Sequence, residues 1–353
     1  MEEIRIGLVG AGGVARSRHL PALQKIPGVI LSSIWSRDVG KAGEVAREFG
    51  FQTVRDKWQD VVHSSEVDAV VIATPPPLHL PATLLALEAD KHVLCQARMA
   101  RNLSEARSMA EAAAKSNRIT ALYPPRPGLK GDRTMQRLLH DECYVGDIRE
   151  VRMTGMTLFS RGDNYQWLFD PEVMGVNAMT LGMWAEVALR WVGPIGTVSA
   201  VGQSHTKQRL SSNGDWVESS VPDSLAVAAT LQCGATMSCH FSFDVAGGAG
   251  DSLELYGSQG TLIYRFFEEE IQGSRLGQPL ARIEVPPHEE RQQTTDLEFV
   301  TAIRQGGHVS PDFTEGVQYM EFCEAVALSV HAKRTISLPL DEPAMEHWGK
   351  PIA

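Results

Sequence analysis

Apolar residues follow two rhythms along this chain, and the change falls near residue 125. Before it, short apolar runs alternate with stretches in which apolar residues recur every three or four places. Ile4 to Val9, Val29 to Trp35, Val67 to Thr74, His92 to Cys95 and Ile119 to Leu122 read as strands. Val14 to Gln24, Val39 to Phe49 (closed by Gly50), Leu80 to Ala89 and Asn102 to Asn117 read as helices. Val67 to Thr74 is apolar almost throughout, the pattern of a strand covered on both faces. Such alternation predicts βαβ units and an α/β domain built on a doubly wound parallel sheet.

After residue 125 strands dominate. A helical stretch from Thr134 to His140 precedes Glu150 to Phe159, Gly196 to Val201, Ser224 to Leu231, Thr236 to Phe243, Ser252 to Tyr256 and Thr261 to Phe266. Asn177 to Trp191 interrupts them as a helix, and Leu297 to Arg304 and Gly316 to Ala332 close the chain as helices. This pattern predicts a C-terminal α+β domain with a large, mostly antiparallel open sheet. The expected division is 1–123 and 124–353, with the late helices able to pack back on the first domain.

Composition narrows the partners. The 353 residues are 43% hydrophobic and 22% charged, enough for a sizeable core. A formal charge of −10 without a basic block argues against a nucleic-acid surface. No apolar run approaches bilayer length, so no membrane span is expected. Five scattered cysteines (Cys95, Cys143, Cys233, Cys239, Cys323) lack CxxC or Cys/His ligand spacing. They point to reduced thiols in a cytoplasmic protein and to no metal site. The opening residues run straight into a strand, and no signal peptide is read there. The expected partner is a small molecule.

Gly10-Ala11-Gly12-Gly13-Val14-Ala15 gives G-x-G-x-x-A between a strand and a helix. In that context Gly10 allows a tight turn, Gly12 lets the backbone approach a pyrophosphate, and the helix end at Gly13 and Val14 offers free N–H groups. At the end of the second strand, where NAD sites usually carry an acidic residue, stand Ser36 and Arg37. A hydroxyl and a guanidinium suit a 2′-phosphate, which favours NADP over NAD. Arg37 as a solvated turn residue is the plainer alternative. Asp38 is expected to cap the next helix. Thr74 and Pro75 end the third main strand at the sheet's ligand-binding edge, and His79 either lies near the coenzyme or caps the following helix.

These pieces resemble the Gfo/Idh/MocA family, the glucose-fructose oxidoreductase and inositol dehydrogenase group. The resemblance rests on GLVGAGGVA at 7–15, ATPPPLH at 73–79, ALEADKHVLC at 86–95, GDIREV at 146–151, LELYGSQGTL at 253–262 and HAKRTISLPL at 331–340. It implies a Rossmann domain binding NADP or NAD, with Gln96 at the coenzyme edge. It also implies an open-sheet domain that assembles as a homo-dimer or tetramer through its exposed face, and oxidoreductase action on a sugar, polyol or related carbonyl compound.

The family's chemical residues do not carry over. Its Glu-Lys-Pro falls on Gln96-Ala97-Arg98, and Ala97 moves no proton. Its helix motif, anchored on Gly182, places Thr180 and Val187 at the aspartate positions and Trp184 at the histidine position. The loss of a general acid or base costs about 10²- to 10⁴-fold in rate. Substitute catalytic candidates are Arg98, Tyr123 and Tyr165, and candidate pocket residues are Arg126, Asp163, Trp167, Thr180 and Trp184. For each the plain alternative is structural: Trp184 as core, Arg98 paired with an acid. Three functions remain open: an oxidoreductase with relocated acid/base groups, a non-redox enzyme that retains NAD(P), or an inactive NAD(P)-binding sensor or partner subunit.

Overall fold

A computed structural model of the chain describes residues 3–124, 129–157, 164–211, 213–248, 250–291 and 295–352. Two compact units emerge, neither contiguous in sequence. Residues 1–100, 104–127 and 293–317 form the first; 101–103, 128–292 and 318–353 form the second. The long stretch of the first unit thus ends slightly beyond the division expected at 123. The helix Thr295–Gln305 belongs to that unit, as does the start of Phe313–Ala332.

The first unit holds β1 (Ile4–Val9), β2 (Val29–Trp35), β3 (Thr53–Val54), β4 (Ala69–Ile72), β5 (His92–Gln96) and β6 (Thr120–Tyr123). All pairs are parallel and the order is β3-β2-β1-β4-β5-β6. Order reverses between β1 and β4, so a crevice opens at the carboxyl ends of those two strands. Every residue of β4 is buried, as its unbroken apolar run requires. Ile6, Leu8, Ile34, Val71 and Leu94 share their core with Phe299 and Val300 of Thr295–Gln305. Gly50 closes the helix Val39–Phe49 at φ +78°, its N–H on Ala46 O, a conformation that suits glycine. The two-residue β3 and the short helix Trp58–Val62 were not expected, since neither is long enough to show a period.

The second unit is built on a nine-stranded sheet. Its strands are β7 (Ile148–Met156), β8 (Ile195–Gln203), β9 (Ser224–Leu231), β10 (Thr236–Ser242), β11 (Gly250–Gly257), β12 (Gly260–Arg265), β13 (Glu270–Arg275), β14 (Ala281–Ile283) and β15 (Ile336–Ser337). They lie in the order β14-β13-β12-β11-β7-β10-β9-β8-β15. Only β7 and β10 pair in parallel. The strands β13 and β14 at one end of the sheet were not expected; few of their residues are apolar and Gly273 interrupts β13.

Burial alternates along β9 and along β10 as far as Phe241, leaving one face covered and one open. The covered face takes Leu181–Val192, where Trp184 stacks on Phe266 and Trp191 meets the edge of Tyr264. This helix begins later than the expected Asn177. Met179 sits at φ +46°, and the Asn177 amide donates to Met174 O at 2.7 Å, so the chain turns before it winds. The open face carries small and polar side chains, including Ser199, Ala226, Ala228, Ser238 and His240. They line a hollow of about 980 Å³.

Candidate functional site

The glycine-rich turn follows β1 as its motif requires. Gly10 has φ +110° and donates to Trp35 O at 2.8 Å. A Cβ on Gly10 would stand 2.6 Å from Ala73 O, so the fold itself demands glycine there. Gly12 and Gly13 are different. A Cβ would meet only Ala73 O at 3.7 Å from Gly12, and nothing within 4 Å from Gly13. Packing does not ask for these two glycines, whereas a ligand lying on the turn does. Val14 precedes a π-helical turn, Ala15–His19, that runs on as Leu20–Leu23. The first N–H groups of such a helix have no partner within it and suit a diphosphate.

At the end of β2, Arg37 is exposed and no carboxylate among the described residues pairs with it. Ser36 is half-buried, its Oγ accepting weakly from Asp38 N at 3.4 Å. Asp38 caps Val39–Phe49 by accepting from Lys41 N at 3.0 Å, so its carboxylate serves the helix. Beyond β4, Thr74 is half-buried with a buried Oγ1 that finds no partner among the described residues. Such an atom, one turn from Gly10, is a ready hydrogen bond for a ligand. Pro75 is exposed beside it.

His79 neither caps its helix nor faces open solvent. The helix His79–Glu88 is preceded by Leu78 without a side-chain cap, and the His79 ring is buried among backbone carbonyls. Gln96 and Arg98 are half-buried at the end of β5, and Ala97 donates its N–H to Tyr123 O at 2.9 Å. Tyr123 is 2% exposed, with its ring 3.9 Å from that of His19. Burial first, then the Asp296 carboxylate, pushes its phenol far above the ordinary value. A phenol so placed holds its proton and is poorly reachable by substrate. Arg126 lies outside the described residues.

In the second unit Trp184 is 1% exposed, parallel to Phe266 at 3.8 Å, and donates Nε1 to Asp251 Oδ2 at 2.6 Å. The expectation of a stacking wall for substrate does not fit this burial; the indole is core. Thr180 keeps a buried Oγ1 that bonds to no described residue and does not cap Leu181–Val192. Tyr165 is half-buried, its phenol pushed up to about 12 by burial and by Asp170. Trp167 is 43% exposed. Asp163 lies outside the described residues.

Two buried polar contacts escaped the sequence reading. His19 Nδ1 meets Asp296 Oδ1 at 2.7 Å, and Arg209 meets Asp223 at 3.6 Å while lying 3.7 Å over the Phe169 ring. The first joins residues 277 apart, a pairing that no local motif announces. Phe169 also gives its carbonyl to Ser219, and Tyr165 donates its N–H to Leu210 O, so the Arg209 pair anchors the loop that bears Tyr165 and Trp167. His308, Asp312 and Glu315 bring ligand atoms within 4.8 Å of one another. Asp312 there accepts from the N–H groups of Thr314 and Glu315, which is how a helix start is capped.

A parallel 3-2-1-4-5-6 sheet with a glycine turn at its switch point, joined in one chain to an open-sheet α+β unit, defines a dinucleotide-binding protein of oxidoreductase architecture. The family model "Oxidoreductase family, NAD-binding Rossmann fold" matches residues 4–123, and the model "GFO/IDH/MocA C-terminal domain" matches residues 133–263. The chain belongs to the Gfo/Idh/MocA family.

Among curated relatives, glucose-fructose oxidoreductase domain-containing protein 2 of Xenopus tropicalis is 27% identical over 270 residues, 73% of this chain and 64% of its own length. Levoglucosan dehydrogenase of Pseudarthrobacter phenanthrenivorans is 23% identical over 397 aligned positions, covering 96% of this chain and 99% of that protein. A solved structure of levoglucosan dehydrogenase in complex with NADH matches with a TM-score of 0.85 at 22% identity, over 96% of this chain and all of that one. That likeness concerns the fold. No helix among the described residues is long and apolar enough to cross a membrane.

Proposed function

We propose that this chain is an NAD(P)-dependent oxidoreductase of a sugar, polyol or related carbonyl compound, with proton transfer moved away from the family's usual groups. One observation carries the reading. Gly12 and Gly13 leave open space that the fold does not require, and Thr74, packed against neighbouring Gly10, has an Oγ1 with no partner among the described residues. A bound nicotinamide would supply the hydride acceptor or donor. The turn at Gly10 to Val14 would hold the diphosphate, and Thr74, Pro75 and Gln96 would line the crevice.

Ser36 and Arg37 favour NADP, because Asp38, the carboxylate next in the chain, is engaged in capping. Arg98 suits an anion or oxyanion, since its guanidinium keeps its charge. Tyr165, Trp167 and Thr180 are the pocket candidates of the second unit. Ala97 and the buried Trp184 favour a second reading, in which NAD(P) is retained for non-redox chemistry or for sensing.

Fluorescence titration with NADPH and NADH, followed by turnover on a polyol and ketose panel, tests these readings. We expect NADPH to bind more tightly, and Arg37→Ala to weaken NADPH roughly tenfold with little effect on NADH, the loss of one charge-assisted contact. Binding without turnover favours the sensor. Binding of neither coenzyme overturns every version.

We also assign the open sheet face to self-assembly as a dimer or tetramer. Its small side chains admit close approach, and Arg152 alongside Glu150 and Glu254 makes it self-complementary about a two-fold axis. Ala228→Arg in the middle of that face should yield monomers by light scattering. A wild-type monomer would refute the assignment. The five free cysteines support a cytoplasmic setting.

A further inference from the structure

His79 is 1% exposed, and backbone oxygens from two different turns enclose its ring. Nε2 lies 2.7 Å from Thr74 O, in the turn after β4. Nδ1 lies 2.9 Å from Arg98 O and 3.1 Å from Met99 O, in the turn after β5. All three partners are acceptors only. A neutral imidazole has one N–H, so it serves one turn and presents a lone pair to the other. The imidazolium donates to both.

We propose that His79 is a positioning residue: its ring latches the Thr74 turn to the Arg98–Met99 backbone and so sets both the coenzyme crevice and the placement of Arg98. The proposal rests on the reading of this edge as the coenzyme site. Ala97 is already tied to β6 through Tyr123 O at 2.9 Å. His79 supplies the second tether, on the opposite side of the same short segment. The segment matters because it occupies the place of the family's missing lysine.

Burial draws the ring below its ordinary titration value, against the pull of the Thr74, Met99 and Arg98 carbonyls and of Glu105 on the neighbouring helix Leu103–Ala114. At neutral pH the ring is therefore mostly uncharged and holds one turn fully. As pH falls, a ring whose titration value is depressed in place takes up its proton more readily once released to solvent, so acid loosens the latch.

Hydrogen exchange resolved over residues 73–79 and 96–100 tests this directly in the full-length protein. From pH 8 to pH 5, after correction for intrinsic rates, wild-type protection should fall in the two segments. The loss should be about fivefold, equivalent to one ordinary net hydrogen bond. His79→Gln has no titrating ring, so it should show no such pH-dependent loss while β2 and Thr295–Gln305 keep native protection.

In parallel, wild-type affinity for NADPH should weaken below about pH 6.5 relative to His79→Gln. Equal pH response in variant and wild type, or no response in the wild type, overturns the latch. The wild-type comparison needs no variant, so poor folding of His79→Gln does not shelter the idea. Should the wild type bind neither NADPH nor NADH, the coenzyme reading falls, while exchange still decides the latch.

Discussion

Trp184→Ala separates a core residue from a ligand wall. The indole is 1% exposed, stacks on Phe266 at 3.8 Å and donates to Asp251 at 2.6 Å. Truncating a buried aromatic of this kind costs about 3–5 kcal/mol in lost transfer energy and residual cavity. Domains of this size lose roughly 2–4 °C of melting temperature per kcal/mol, so the transition should fall by roughly 6–20 °C. Trp184→Phe keeps a stacked ring but removes a donor to a carboxylate, so it should cost about 1.5–3 kcal/mol. Differential scanning calorimetry of the three proteins, with substrate affinity measured well below the transition, gives both numbers. A Trp184→Ala protein that melts within about 2 °C of wild type yet loses substrate would refute the core assignment and restore the stacking wall.

Gly13→Ala adds a methyl that meets nothing within 4 Å, so it should melt like wild type while losing coenzyme affinity at least roughly tenfold through blocked approach to the turn. Gly10→Ala, with φ +110° and Ala73 O at 2.6 Å, should instead lose stability and binding together; equal melting of the two variants would contradict the division of roles. Burial alone would raise the Asp132 carboxyl, but Arg190 and Arg291 hold it below the usual aspartate value. Its contribution is therefore complete above about pH 4 and lost as pH falls through the lower folded-state value. Asp132→Asn should cost about 3–5 kcal/mol at pH 7 and flatten the acid limb of the stability curve, and an unchanged limb would count against the pairing. Ala97→Lys combined with Trp184→His should gain no sugar dehydrogenase activity, because position 184 faces Phe266 and Asp251; a clear gain on the polyol panel would mean that only side chains, and not the pocket, have changed.

Much of the architecture was legible because burial imposes its own period. β9 was expected with its observed ends, and Gly50 and Asp38 were placed correctly as helix stop and cap, since both roles depend on a few adjacent residues. The strands β13 and β14 were illegible for the converse reason: with little apolar surface they carry no period. The late start of Leu181–Val192 turned on Met179 adopting φ +46°, which no propensity foretells.

The site was legible in part. The turn at 10–14 could be read because its glycines are a local device. The roles of His79 and Tyr123 could not, because each depends on which backbone oxygens or carboxylates the fold brings against the ring.

That difference bears on the chemistry. The segment 96–99 is held through main-chain atoms, with Ala97 N–H on Tyr123 O and the Arg98 and Met99 carbonyls on His79. None of these contacts involves the side chain at 97, so the cradle stands whatever side chain is carried there. Position 184, by contrast, holds an indole that is integral to the core, and its loss would be felt across the covered face of the sheet. One position is an empty place on an intact frame; the other has become part of the frame. Neither Ala97 nor the buried indole moves a proton, and the candidates we propose, Arg98 in the first unit and Tyr165 in the second, are where substitution should first be tested, Tyr165 against pH.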